Sequence, residues 1–310
     1  MLIGFGAPVS GAWGEPGALG RFAQRAEELG YHSLWAFQRL LVGADQQLGP
    51  EYQSVLDPLL ALSYAAALTS RIRLGVAVVN LPYLAPAYLA KQASTLDVLS
   101  AGRAEVGLGT GWSEPEFAAT GSDPAPRGRR TEEYLAVLKS LFVDETASFE
   151  GQVYTLAPSR MAPRPVQAGG PPILLGGTAD AALRRAGRIA AGWVSSSRAR
   201  LTDIERGAQV VRRAAEEAGR DPDEVRIVVR GVVRAGVRDD RFPLSGDREQ
   251  IRAGAQLYAE AGVTELFYDL NWDPLVGGPD ADPGAAVERA ERILEALAPK
   301  AGDRYCPPFG

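Results

Sequence analysis

Two glycine-rich turns are the parts of this chain best suited to hold a ligand: Gly107-Leu108-Gly109-Thr110-Gly111-Trp112 and Gly176-Gly177-Thr178. Glycines at a strand end let the backbone come close to a planar ring and leave peptide N–H groups available, although a tight strand-to-loop turn asks for the same residues. A dinucleotide fingerprint needs glycine at the sixth position and a helix at once. Here the sixth residue is Trp112 and Pro115 soon follows, so a Rossmann reading fails. Gly176-Gly177-Thr178 leads into a helical pattern, where unpaired N–H groups and the positive end of the helix dipole suit a phosphate. Thr178 reads either as a phosphate ligand or as the helix N-cap. Asp180, in the first turn, counts against an anion unless it faces solvent.

Polar side chains at other strand ends extend the candidate site. Gln38 and Arg39 follow an apolar run and suit hydrogen bonding to a heterocycle or an anionic substrate. Asn80 ends the next run, where it faces a cavity or simply begins a turn. Glu114 and Glu116 are the nearest carboxylates and the candidate proton donors. Tyr268, Asn271 and Trp272 fall near the same mouth, and Trp13, Trp112 and Trp272 either form an aromatic pocket or pack under loops. The one histidine, His32, lies at the far end of its strand, which disfavours Ser–His hydrolysis and a histidine metal site. The one cysteine, Cys306, excludes an internal disulfide and thiolate zinc sites, so no metal is expected. A phosphosugar isomerase or aldolase needs an inward base, but Lys91, Lys139 and Lys300 all fall on helical patterns.

Positioning these residues takes a repeating scaffold. Apolar runs occur at Leu2–Gly6, Ser33–Phe37, Ile72–Val79, Ala104–Gly109, Ile173–Leu175, Gly192–Ser195, Val225–Val233 and Glu265–Leu270. Eight segments of helical period alternate with them: Leu19–Leu29, Leu59–Leu68, Tyr88–Leu99, Glu132–Phe142, Ala181–Ile189, Ile204–Ala218, Glu249–Ala261 and Ala285–Leu297. Runs as continuously apolar as LGVAVV read as strands buried on both faces. Eight such units predict an α/β (β/α)8 TIM barrel rather than an open sheet. The 310 residues suit one barrel domain with insertions: a Gly/Pro-rich loop from Trp112 to Arg130 after strand 4, and a small hairpin between Ala147 and Thr155 before strand 5.

Composition narrows the partners. A net charge of −5 with no basic run longer than Arg127 to Arg130 leaves no footprint for nucleic acid or an anionic membrane. No run approaches the ~18 apolar residues of a membrane span, and no export signal stands at the start. A cytoplasmic protein acting on a small-molecule substrate is expected, and pairing through barrel helices makes a homodimer possible.

The blocks GYHSLWAFQRLL, RIRLGVAVVNLPYLAP, LAKQASTLDVLSAGRAEVGLGTGW, RGRRTEEYLAVLKSLF, FEGQVYTL and PPILLGGTADAALRRAGRIAAGWV resemble, collinearly up to about Ser197, the luciferase-like monooxygenase family. The resemblance implies a TIM barrel holding coenzyme F420, with FMN as the alternative, at its carboxyl face. It implies that Gln38, Ala77, Val78, Asn80, Thr110 and Gly111 hold the ring and that Gly176, Gly177 and Thr178 hold the phosphate. It further implies a non-prolyl cis peptide at Ala77–Val78, behind the ring. Many deazaflavin relatives carry an acidic residue and a histidine where this chain has Gln38-Arg39, so the proton role falls to Glu114 or a bound water. The readings that follow are hydride transfer with the deazaflavin, oxygenation with FMN, or a barrel that binds flavin without turnover.

Overall fold

The computed structural model describes residues 1–299; Lys300 and Cys306 lie outside the described residues. Eight parallel strands close into a barrel: Leu2–Gly6, Ser33–Ala36, Arg73–Asn80, Ala104–Gly109, Ile173–Gly176, Gly192–Val194, Arg226–Val232 and Glu265–Asp269. Each pairs with its sequence neighbours, and the last returns to the first with Leu266 opposite Ile3. These are the expected runs, with ends moved by a residue or two.

Helices Pro16–Glu28, Pro58–Leu68, Pro86–Leu99, Arg127–Val143, Asp180–Ile189, Leu201–Glu217, Arg248–Glu260 and Pro283–Ala296 accompany the strands. Local chemistry starts them. Proline occupies the first turn of four, and Asp57 accepts the N–H groups of Leu59 and Leu60 at 3.0 Å. Their apolar stripes supply the packing energy. In Pro16–Glu28 the buried face is Leu19, Phe22, Ala23 and Ala26, each large side chain contributing ~1.5–3 kcal/mol.

The predicted loop from Trp112 to Arg130 is more structured than its composition suggests. It holds a helix, Glu114–Thr120, and the next helix begins at Arg127, so Gly and Pro content overstated its irregularity. The hairpin is present as Ala147–Glu150 paired antiparallel with Thr155–Ser159. No described helix is long and apolar enough to cross a membrane.

Inside the barrel the floor is charged. Glu105 and Glu265 are fully buried, and Arg226 bridges them at 2.8 and 2.6 Å, with Arg73 also on Glu105. Burial pushes the Glu265 carboxyl up, but Arg226 and His32 together with the hydrogen bonds from Ser33 and Trp35 outweigh it, and the net direction is down. Above the floor Trp35 stacks on Phe267 at 5.4 Å, beside Leu174, Val194 and Val228. This plug shuts one end, so any ligand space lies at the carboxyl end.

The third strand departs from regular pairing. Val76 sits opposite Val106 and Val79 opposite Leu108, so Ala77 and Val78 together face Gly107 in a bulge. The bulge explains the glycines of the fourth strand. A Cβ on Gly109 would lie 2.6 Å from Val78 Cγ2, and one on Gly107 would meet the Val76 carbonyl and Val78 Cγ1. Their place is taken by the neighbouring strand, a packing reason beyond the two expected readings of close approach to a ring and a tight strand-to-loop turn. The Ala77–Val78 peptide bond is cis, as the resemblance implied.

Candidate functional site at the carboxyl mouth

A cavity of about 640 Å³ opens at the carboxyl ends of the strands. Gln38, Ala77, Val78, Asn80, Thr110, Gly111, Gly176, Gly177 and Thr178 all line it, so the expected ring and phosphate residues share one space. Glu114 does not: it is exposed on the first turn of its helix and outside the lining. Lys91 and Lys139 also stay on the outer helices.

Gln38 has a defined orientation. Its Oε1 accepts the backbone N–H of Asn80 at 2.8 Å. A peptide N–H can only donate, so the amide oxygen must face it and Nε2 is the atom left to donate elsewhere. This bond ties the end of the second strand to the end of the bulged one.

At the glycine corner the helix begins at Asp180, one residue before the expected Ala181. The N-cap is Ala179, with no side-chain cap bond, so Thr178 is not the cap and lies in the turn before it. Gly177 has a φ of +133°, outside the range of most L residues, and its carbonyl accepts the Trp193 Nε1–H at 2.8 Å. Asp180 turns away from the cavity to Arg206 at 2.7 Å, whose guanidinium holds its carboxyl below the usual range. That removes the acidic objection to an anion at this corner. Arg127 and Gly128, at the start of a second helix, and Arg185 also line this end. The sequence reading passed over these arginines because the fold, not the chain, brings residues 127 and 185 together.

Across the mouth lies a group of rings and guanidinium ions. Arg39 is 2.8 Å from Glu116 with both side chains almost fully buried, and its guanidinium sits 4.8 Å from the Tyr52 ring and 4.6 Å from that of Trp112. Arg230 is 3.1 Å from Asp269, 4.5 Å from the Trp272 ring and 5.3 Å from Phe37. Its Nη2 donates to the Ala77 carbonyl, at the bulge. Burial draws the Arg230 guanidinium down and pushes the Asp269 carboxyl up, each partly offset by the other. Sequence reasoning missed Arg230; its only signal was to be one of two arginines, with Arg226, inside the apolar run Val225–Val233.

The other mouth residues divide. Trp112 and Trp272 line the cavity, whereas Trp13 is fully buried and donates to Asn271 Oδ1 at 3.2 Å, so no trio of tryptophans forms. Asn271 is structural, receiving Ser10 N–H at 3.2 Å and donating to the Ala7 carbonyl at 3.0 Å. Glu116, one of the two candidate carboxylates, is consumed by Arg39 and by the Leu40 N–H at 2.7 Å.

The comparisons agree with this architecture. A protein-family model described as luciferase-like monooxygenase matches residues 3–241. An uncharacterized protein of Mycobacterium tuberculosis is 32% identical over 249 residues, covering 80% of this chain and 78% of that protein. Among solved structures, monooxygenase RslO1 from Streptomyces bottropensis superposes with a TM-score of 0.79 at 20% identity, over 99% of this chain and all of that one. Coenzyme F420 dependent tetrahydromethanopterin reductase from Methanopyrus kandleri gives 0.74 at 19% identity, over 96% and 98%. The family-model match over residues 3–241, with a 32% identical relative covering 80% of the chain beside it, leads to one conclusion: the chain belongs to the luciferase-like monooxygenase family.

Proposed function

We propose that this protein is a coenzyme F420-dependent oxidoreductase that passes a hydride between the coenzyme and a small organic substrate. The observation carrying the proposal is a single cavity that joins the bulged wall of the third strand to a glycine corner flanked by Arg127 and Arg185. A planar ring with a charged tail fits that shape and charge: Gln38, Ala77, Val78, Asn80, Thr110 and Gly111 would hold the ring. Gly176, Gly177 and Thr178 would hold the phosphate, with the two arginines beside it. When bound, the deazaflavin supplies a two-electron hydride donor or acceptor. Gln38 Nε2 donates a hydrogen bond toward the ring or substrate without changing charge. Among the lining residues there is no carboxylate, histidine or lysine, and Tyr52 is the one besides the arginines with a dissociable proton. The proton-donor role therefore moves from Glu114 to Tyr52. Half-exposed Trp112 stands at the opening, where it limits the entry of water.

A second reading, FMN-dependent oxygenation, draws support from the similarity to RslO1, a monooxygenase. Titration with oxidised coenzyme F420 and with FMN, followed by fluorescence, tests both. Tight F420 binding without oxygen consumption is expected. Preferential FMN binding, with oxygen uptake by the reduced protein, would establish the second reading instead.

A further inference from the structure

The side of the mouth opposite the glycine corner has a composition of its own. Phe37 and Arg39 follow the second strand and Trp272 follows the eighth, which flank the first strand; the glycine corner follows the fifth, across the barrel. Here Phe37, Tyr52, Trp112 and Trp272 line the cavity and contact one another, with ring centroids 4.8 Å apart for Phe37 and Trp272 and 5.9 Å for Tyr52 and Trp272. Arg39 and Arg230 lie against these rings, and each is neutralised by a buried carboxylate, Glu116 or Asp269, that is not part of the cavity wall.

Three ligand classes meet this surface differently. A cation is repelled by two guanidinium ions that already occupy ring faces. An anion must compete with carboxylates at 2.8 and 3.1 Å that are almost fully shielded from water. An uncharged flat molecule gains the ring contacts and loses little hydration, and a carbonyl oxygen on it meets guanidinium N–H donors.

We propose that this ring-and-guanidinium end is the substrate subsite, and that it selects an uncharged aromatic ketone or the corresponding alcohol. The inference rests on the hydride-transfer reading. Reduction there would break the C=O π bond, form a C–H bond with a hydride from reduced deazaflavin and an O–H bond with a proton from Tyr52, which solvent replaces. The selection itself depends on the rings and the charge balance of the wall and not on the coenzyme.

Calorimetric titration of the protein, free and mixed with oxidised coenzyme F420, with acetophenone, benzoate and benzylamine tests the proposal. Acetophenone is expected to bind at least about tenfold more tightly than either charged probe. Glu116→Gln keeps an acceptor for the Leu40 N–H but leaves the Arg39 charge uncompensated, so benzoate should gain about tenfold while acetophenone stays the same. Should that variant fail to fold, Trp272→Leu serves, with acetophenone affinity falling about tenfold. Benzoate binding as tightly as acetophenone, no binding of acetophenone, or a parent-like ratio in folded Glu116→Gln would overturn the proposal. Coenzyme binding is read separately from deazaflavin fluorescence. Acetophenone selectivity without coenzyme binding would sink the hydride-transfer reading and spare the subsite; coenzyme binding without selectivity would do the reverse.

Discussion

Replacing Arg230 by methionine separates what this residue does for stability from what it does for the site. Asp269, 1% exposed, would lose the guanidinium at 3.1 Å while still holding the Asn271 N–H at 2.9 Å. Breaking a buried pair from one side costs ~3–5 kcal/mol. At about 2 °C per kcal/mol in a chain this long, the melting temperature should fall by about 6–10 °C. Burial already pushes the Asp269 carboxyl up, and removing the cation pushes it further. The folded variant then holds a proton that the unfolded chain lacks, in the window above the unfolded value of about 3.9, so its stability falls as pH rises through that window and the deficit shrinks in acid. Adding Asp269→Asn removes the orphan charge and should restore most of the stability. The Ala77 carbonyl nonetheless stays without its cationic donor, a loss of ~1.5–3 kcal/mol, so coenzyme affinity should remain about ten- to a hundredfold below the parent. Thermal melts and deazaflavin fluorescence titrations measure the two effects. If the double variant regained both stability and coenzyme affinity, Arg230 would have no role in holding the bulge for the ring.

Other substitutions probe the remaining parts. Gly177→Ala and Gly177→Asp share the strain of φ +133° and a Cβ 2.7 Å from that of Ala182, so both should lose stability alike; only the aspartate should weaken coenzyme binding by a further tenfold or more, about 1.4 kcal/mol, and equal binding would remove the phosphate from this corner. Gln38→Glu retains an acceptor for the Asn80 N–H but has no Nε2–H, so melting should change little while single-turnover hydride transfer slows by ~10²-fold; an unchanged rate would take Gln38 out of the chemistry. Glu27 is partly buried, which pushes its carboxyl up, but the N–H groups of Ile72, Arg71 and Ser70 outweigh this and lower it. Its stabilisation is therefore complete above the unfolded value of about 4.3 and disappears as pH falls through the lower folded value; a Glu27→Gln variant should show less acid loss than the parent across that interval.

The alternation of apolar runs and helical periods is local information, which is why the barrel, its order and even the hairpin were legible in the chain. The same holds for the strand-end residues. Gln38, Asn80, Thr110 and Gly177 reach the mouth because strands in a closed parallel barrel all end on one face. Boundaries were less legible where composition misled, as in the helix Glu114–Thr120 inside a stretch rich in proline and glycine. Side-chain partners were not legible at all. Nothing in the one-dimensional order pairs Glu116 with Arg39, turns Asp180 outward to Arg206, or sets Arg127 beside Arg185. The run Val225–Val233 reads as a strand, and the second of its two arginines has no assigned role in the sequence. In the barrel that residue, Arg230, is held by Asp269 and aimed at the Ala77 carbonyl. Periodicity and strand order follow from backbone geometry repeated along the chain, whereas charge balance and hydrogen-bond direction in the cavity depend on distances between residues far apart in sequence, which closure of the barrel alone decides.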